Sequence, residues 1–304
     1  MTRRCHALAA ATALVVGLVC GGPAPAASEA APAVPWTSFR FEAERLGSRV
    51  TVEVRVDPEP AAPLPAGLWP SVRGEPLRPS GPTVLKLTVR ATLDPIGIAP
   101  IRLEGRVWFD PATGTPLRTV RTREGSDDYA QWFVFGREGV FRRQHEPLDR
   151  LQAAGPPESW TRVSENAYAG PADAARCPSL AETLMLVYRM SSSAAQGSFE
   201  LDPLCVFHKR QLHLVRFRAE RRAQVAFDYL ERRGGAAERR AGSTGAVTIR
   251  LSATPIGSYH GDVEPFFKDA QLTVSADGRL PLAGACEFPV IGRVDLSLKE
   301  IRLD

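Results

Sequence analysis

Residues 50–57 read VTVEVRVD, in which every second residue is valine and the residues between are polar. Because successive side chains of a β-strand point to opposite faces of a sheet, this stretch predicts a strand with one buried and one wet face. The same alternation of apolar and polar residues recurs along the chain, at 85–92, 101–109, 215–219, 247–251 and 294–298. We count about twelve candidate strands in all.

Short turns connect these strands. The stretches DPATG at 110–114 and Asp277-Gly278 favour tight reversals, because glycine adopts a positive φ without steric cost. Short links imply antiparallel pairing, since parallel strands need long crossover connections. The sequence therefore predicts a mainly β protein, built as a large curved antiparallel sheet or half-open barrel around one central helix.

The helix is predicted from residues 179–182, which read SLAE. Ser179 and Glu182 have the spacing of a capping box, and apolar side chains follow at helical intervals up to about residue 190. The apolar face of this helix needs a sheet to cover it, and the curved sheet needs something to fill its concavity. Leu184, Met185 and Tyr188 are our candidate ligand-binding residues there, with ordinary core packing as the alternative.

The first 26 residues have the pattern of a secretory signal peptide. Two arginines precede an apolar stretch at 7–20, and Ala24-Pro25-Ala26 offers a cleavage site before Ala27. The apolar stretch is too short for a permanent membrane span. Lipidation of Cys20 and a twin-arginine signal at Arg3-Arg4 are the alternatives. We predict an exported protein, with the periplasm as its compartment and no transmembrane segment in the mature chain.

The mature chain is expected to form one domain. Residues 27–35 are rich in alanine and proline and predict a flexible lead, so the β-rich domain spans 36–304. Within it, residues 58–82 carry many prolines and glycines and predict an irregular insertion. Residues 231–245 are rich in glycine and arginine, lie between two predicted strands, and predict a mobile hairpin loop.

Three cysteines remain after removal of the signal peptide. An oxidising compartment favours pairing, and a Cys177–Cys205 disulfide would clamp the helix to the sheet. Closing a loop of that size contributes roughly 3 kcal/mol in the chain-entropy model. Buried free thiols are the alternative, and Cys286 is expected to pack unpaired in the core.

No pattern of residues predicts catalysis. The chain has no Gly-x-Ser-x-Gly elbow, His-Glu-x-x-His stretch or phosphate-binding Gly-Lys loop. His208 and His213 would lie on opposite faces of one continuous strand, which makes them a poor metal pair, and His260 with Asp262 and Glu264 is more typical of a solvated loop. We therefore predict no enzyme, no catalytic residue, no metal site and no cofactor. A net charge of +4 over 304 residues also argues against nucleic acid as a partner.

The C-terminal part of the chain resembles a bacterial exported family, the domain of unknown function thirty-one-zero-eight. The resemblance rests on LTVSADGRLPL at 272–282, GRVDLSL at 292–298, LMLVYR at 184–189 and the opening FRFEA at 39–43. The family often has a tryptophan where this chain has Leu-Thr-Val at 272–274. The resemblance implies a curved antiparallel sheet around a helix, in outline similar to periplasmic lipoprotein carriers. The family has no assigned activity, so it assigns no functional residue.

Two functions fit this sequence. In the first, a non-catalytic envelope protein binds an apolar or acylated ligand between sheet and helix, which predicts an unfilled cavity beside Tyr188. In the second, a structural or assembly factor has a filled interior and binds a protein partner through its surface or an edge strand. The sequence does not identify the ligand, the partner, the oligomeric state or the pathway.

Overall fold

A single fifteen-stranded sheet contains almost all of the regular structure. A computed structural model describes residues 34–62, 68–97, 99–125, 127–170, 179–208, 210–256, 269–288 and 291–303. The strands are β1 (Trp36–Arg45), β2 (Ser48–Pro60), β3 (Thr83–Asp94), β4 (Ile101–Phe109), β5 (Pro116–Glu124), β6 (Tyr129–Gly136), β7 (Gly139–Glu146), β8 (Arg162–Ala169), β9 (Leu180–Glu182), β10 (Leu204–His208), β11 (Gln211–Arg233), β12 (Ala236–Ile256), β13 (Gln271–Ser275), β14 (Pro281–Phe288) and β15 (Gly292–Leu303). The prediction of a mainly β fold is confirmed, with fifteen strands in the described residues where about twelve were expected.

The strand order shows two meanders joined in the middle. It runs from β8 back to β1, then to β15, and from there back to β9. Pairing is antiparallel except for β9 with β10 and the end of β11 with β15. The β11–β15 pairing and a contact between β5 and β9 bring distant parts of the strand order together, so the sheet curls around its core.

The main helix, α2, lies inside this curled sheet. Two short helical segments, α1 (Arg150–Ala153) and a 3₁₀ turn (Pro157–Ser159), precede α2 (Met185–Ala195). Seven of the eleven α2 residues are buried. Because a helix that is covered on most sides is an interior element, α2 fills the concavity as the sequence predicted.

The predicted start of this helix is wrong. Residues 180–182 form β9, which pairs with β10, and the backbone N–H of Cys205 donates to the carbonyl oxygen of Ser179 at 2.9 Å. α2 begins at Met185 without a side-chain cap. The pairing of residues 180–182 with β10 therefore prevails over the capping-box pattern. The Glu182 side chain instead forms an ion pair with Arg121.

Residues 231–245 form the end of a long β-hairpin, with paired strands where a mobile hairpin loop was expected. Beyond an irregularity between Arg222 and Val225, β11 and β12 pair up to their tips, where Gly234 and Gly235 make the turn at φ of 55° and 88°. Two glycines with positive φ suit the tight turn that joins strands of normal twist. By contrast, the described residues 68–82 carry no strand, and β2 extends into the insertion as far as Pro60.

The core has one large part and two satellites. The large part lies between α2 and the inward faces of β1–β4 and β11–β15. A second cluster joins β6 and β7 to β10, and a third lies on the outer side of β6 under Trp160.

Candidate functional site

The predicted ligand-binding residues lie at the start of α2, in the core. Tyr188 is 2% exposed, with its ring 5.0 Å from that of Phe109, and burial raises the pKa of Tyr188 to about 12. Met185 is fully buried. Leu184 lies directly against Gly105 of β4, where a Cβ atom would come within 2.3 Å of its Cδ1. All three side chains contact the protein's own residues.

A buried ion pair anchors this end of the helix to the sheet. The Arg121 guanidinium of β5 pairs with the Glu182 carboxylate of β9, which is 1% exposed. The other oxygen of Glu182 accepts from the backbone N–H of Leu184 at 2.7 Å. Burial lowers the pKa of Arg121 to about 10, and its guanidinium lies 5.5 Å from the ring centre of Phe133. Sequence reasoning missed this pair because its members are 61 residues apart.

His208 and His213 share a face, which corrects the sequence-based prediction. They do not lie on one strand, because β10 ends at His208 and β11 begins at Gln211. In that hairpin Val206 is opposite His213, so the two rings come to 6.3 Å from each other. The Nδ1 of His208 lies 3.0 Å from the Thr183 hydroxyl.

The described residues contain no group of three or more metal-ligating side chains. His260, Asp262 and Glu264 lie outside the described residues. Two buried imidazoles alone are short of the three or four ligands that protein metal sites use.

The predicted disulfide falls partly outside the described residues. Cys205 is fully buried on β10, but Cys177 belongs to the segment 171–178, so the pairing stays a prediction. Cys286 is free and half-buried, and burial raises the pKa of its thiol to about 12. Such a thiol is protonated at neutral pH and is a poor nucleophile.

An open groove of about 720 Å³ crosses the outer face of β1–β4. Several of its charges are paired: Arg90 and Arg106 both donate to the neighbouring Glu104, and Lys86 pairs with Glu59. Burial raises the pKa of Glu59, but hydrogen bonds from Lys86 and Trp108 outweigh it and lower that pKa overall. These carboxylates are therefore ionised and tied to cations, which does not suit general acid catalysis.

The ends of β11 and β12 form an arm, which we define as residues 225–244. Its β12 side is exposed, while Leu230–Arg233 on its β11 side pair with β15. All of residues 236–243 are exposed, and β13 pairs with β12 only from Ala246 onward. In the described part of the chain no strand pairs with the outer edge of 236–244. That edge therefore offers unpaired backbone donors and acceptors.

Ion pairs within the arm hold its charged side chains. Asp228 accepts from the Nε and Nη2 of Arg239 at 2.8 and 2.6 Å, and the Arg239 hydrogen bond lowers the pKa of Asp228. Arg240 lies 3.7 Å from Glu231 and 3.0 Å from Glu238. The other edge residues between 236 and 244 are alanine, glycine, serine and threonine.

Among solved structures, a similar one is a protein from Brucella abortus, titled as a beta-barrel-like protein of domain of unknown function DUF1849. It superposes with a TM-score of 0.48 at 7% identity, over 90% of this chain and 100% of that chain. No protein-family model and no curated protein matches the chain. The resemblance to family thirty-one-zero-eight therefore stays a prediction. No described helix has the length and apolar character needed to cross a membrane.

Proposed function

We propose that this chain is an exported, non-catalytic envelope protein that binds a protein partner by strand addition to the arm. In this mode an extended segment of the partner hydrogen-bonds to an open sheet edge. The observation that carries the proposal is the unpaired edge at 236–244, on a strand that is otherwise held firmly in the sheet.

The side chains of this edge support strand addition. Alanine and glycine at 236, 237, 241 and 242 allow another backbone to approach closely. Charged residues usually protect an edge from pairing. Here Arg239 is bound to Asp228 on β11, and Arg240 is bound to acidic residues of the same hairpin. These charges are therefore neutralised within the arm and do not repel an incoming strand.

The packing around α2 favours this function over an internal apolar ligand. The ligand hypothesis needs open space beside Tyr188, yet Tyr188, Met185 and Leu184 pack against Phe109, Gly105 and their neighbours. A ligand in that position would have to displace core side chains at a cost of several kcal/mol.

Site-specific photo-crosslinking in the native envelope tests the proposal. A photo-reactive phenylalanine derivative replaces Ala241 in the arm, and the matched control carries it at Thr88 in the outer groove. We expect a partner segment crosslinked at position 241 and not at 88. A synthetic peptide of that segment should then bind the purified protein and slow hydrogen exchange of amides 236–244.

Three results would overturn the proposal. They are equal crosslinking at 88 and 241, crosslinks only to a second copy of the chain, and peptide binding that leaves exchange at 236–244 unchanged. An apolar molecule that co-purifies, seen by native mass spectrometry and organic extraction, would instead support the ligand hypothesis.

Export and the disulfide have their own test. Intact mass analysis of the protein from its native host should give an N-terminus at Ala27. Thiol titration in denaturant without reductant should find one reactive cysteine, Cys286, and three after reduction. An N-terminus at Met1, or three thiols before reduction, would contradict this part of the proposal.

A further inference from the structure

Arg142 is a buried cation without a carboxylate partner. It lies on β7, is 7% exposed, and has no ion pair among the described residues. Its Nε is enclosed without a hydrogen-bond partner. The adjacent Arg143, on the other face of the strand, has Glu165 at 3.7 Å. Because a buried charge is costly unless it is neutralised, an unpaired arginine at this depth needs an explanation.

The nearest opposite charge along the strand is already engaged. Glu146 shares the face of Arg142, and its carboxylate accepts hydrogen bonds from Gln144 and, at 3.5 Å, from Arg162. It raises the pKa of Arg142, but burial outweighs this effect and lowers the pKa overall. Glu146 therefore does not compensate the burial of Arg142.

Tyr168 contacts the Arg142 guanidinium, and the charge of Arg210 acts on both groups. The guanidinium lies 5.6 Å from the ring centre of Tyr168 on β8, and the Tyr168 hydroxyl is buried without a hydrogen-bond partner. Burial is the main influence on both pKa values and lowers that of Arg142 while it raises that of Tyr168; the positive charge of Arg210, in the β10–β11 turn, acts to lower both. Phe207 packs against Tyr168 at 5.3 Å and forms an apolar floor. Arg210 is exposed.

We propose that Arg142, Arg210 and Tyr168 form a binding site for a phosphate group. Two guanidinium groups match the charge of a phosphate dianion, and the arginine fork matches its oxygens. The phenol O–H is a donor that still lacks an acceptor. A phosphate bound there satisfies the buried Tyr168 hydroxyl and neutralises Arg142. This site is independent of strand addition at the arm, which lies on different strands.

Isothermal titration calorimetry of the full mature protein at constant ionic strength tests this site. The probes are inorganic phosphate, glycerol 3-phosphate, a monomeric short-chain phosphatidic acid, and acetate as the comparison anion. We expect saturable phosphate binding that weakens about tenfold or more in Arg142→Gln and in Arg210→Gln. Tyr168→Phe should weaken it less. The control Arg216→Gln, at an exposed arginine of β11, should leave it unchanged.

The probes also distinguish the source of the phosphate. Tighter binding of phosphatidic acid than of inorganic phosphate indicates a lipid headgroup, and equal binding indicates a free anion. The proposal is overturned if no phosphate probe binds saturably, if acetate binds as tightly as phosphate, or if binding survives in Arg142→Gln. Should Arg142→Gln not fold, Arg210→Gln and Tyr168→Phe decide the question in the same way.

Discussion

β2 and β6 are central strands of one sheet, yet they are buried in different ways. In β2, Val50 and Val54 are buried, while Glu53 and Arg55, on either side of Val54, are exposed. In β6, every residue from 132 to 136 is buried. The reason is the covering of the outer face, which is an open groove over β2 and a layer that contains Trp160 over β6.

The difference teaches that the sequence pattern of a strand reports how many of its faces are covered. Alternation as in VTVEVRVD corresponds to one covered face, and the continuous run WFVF at 132–135 corresponds to two. The strands on either side of β6 carry Arg121, whose side chain is 15% exposed, and the buried Arg142.

The largest expected loss of stability comes from a substitution on the outward face of β6. Trp132→Ala should reduce the free energy of unfolding by about 4 kcal/mol, because Trp132 is 4% exposed and packs with Trp160. Arg55→Ala, at an outward position of β2, should change it by less than about 0.5 kcal/mol. Chemical denaturation measures both. Equal effects would mean that the two outer faces are not covered differently.

The buried ion pair gives the next effect. Glu182→Gln should destabilise the protein by about 3 kcal/mol, because it leaves the Arg121 charge buried and unpaired. Glu220→Gln removes the half-exposed partner of Arg250 and should cost less than about 1 kcal/mol. A loss below 1 kcal/mol for Glu182→Gln, in the same denaturation assay, would show that solvent reaches Arg121.

The contact between α2 and β4 gives a smaller effect. Gly105→Ala should destabilise the protein by about 1–2 kcal/mol, because the added Cβ forces Leu184 to move. Gly81→Ala is the matched control, since its Cβ meets no atom within 4 Å, and it should be neutral or slightly stabilising. Thermal unfolding compares the two. If Gly105→Ala is also neutral, α2 is packed more loosely on β4 than the structure indicates.

The smallest expected effect is on how the unfolding free energy depends on pH. His145, on the outer side of β7, packs 4.9 Å from Trp132, and burial lowers its pKa below the ordinary 6.5. The folded state then binds fewer protons than the unfolded state, so its contribution is present above about pH 6.5 and is lost as the pH falls towards the folded pKa. Unfolding free energies measured between pH 7.5 and 5 should therefore decrease less steeply in His145→Gln than in the unmodified chain. Parallel curves would contradict the prediction.

The spacing of apolar residues in the sequence predicted several strands and the presence of the main helix. The alternating stretches at 50–57, 85–92 and 247–251 all lie in strands, and the apolar face around Tyr188 lies on a helix in the core. The glycine- and arginine-rich stretch 231–245 was expected to be a mobile hairpin loop, but its strands pair almost to the turn at Gly234 and Gly235, and cross-strand ion pairs such as Asp228–Arg239 accompany that pairing.

Contacts between distant residues could not be predicted in this way. Glu182 has the spacing of a capping box, and only the pairing of β9 with β10 turns it towards Arg121. His208 and His213 share a face only because a turn separates them. The cluster of Arg142, Tyr168 and Arg210 draws on three separate segments, none of which carries a motif.

The strand order also has a kinetic consequence. β1 pairs with β15, so the first strand of the described sheet needs the last one as its neighbour. As the chain becomes free to fold from its N-terminal end, β1 to β8 can assemble as a meander of local hairpins, but one edge of β1 stays open until the segment up to residue 303 is also available. Pairings between such distant segments close slowly, because a long loop must be ordered first. The β1–β15 pairing, in the middle of the finished sheet, is thus expected to form last.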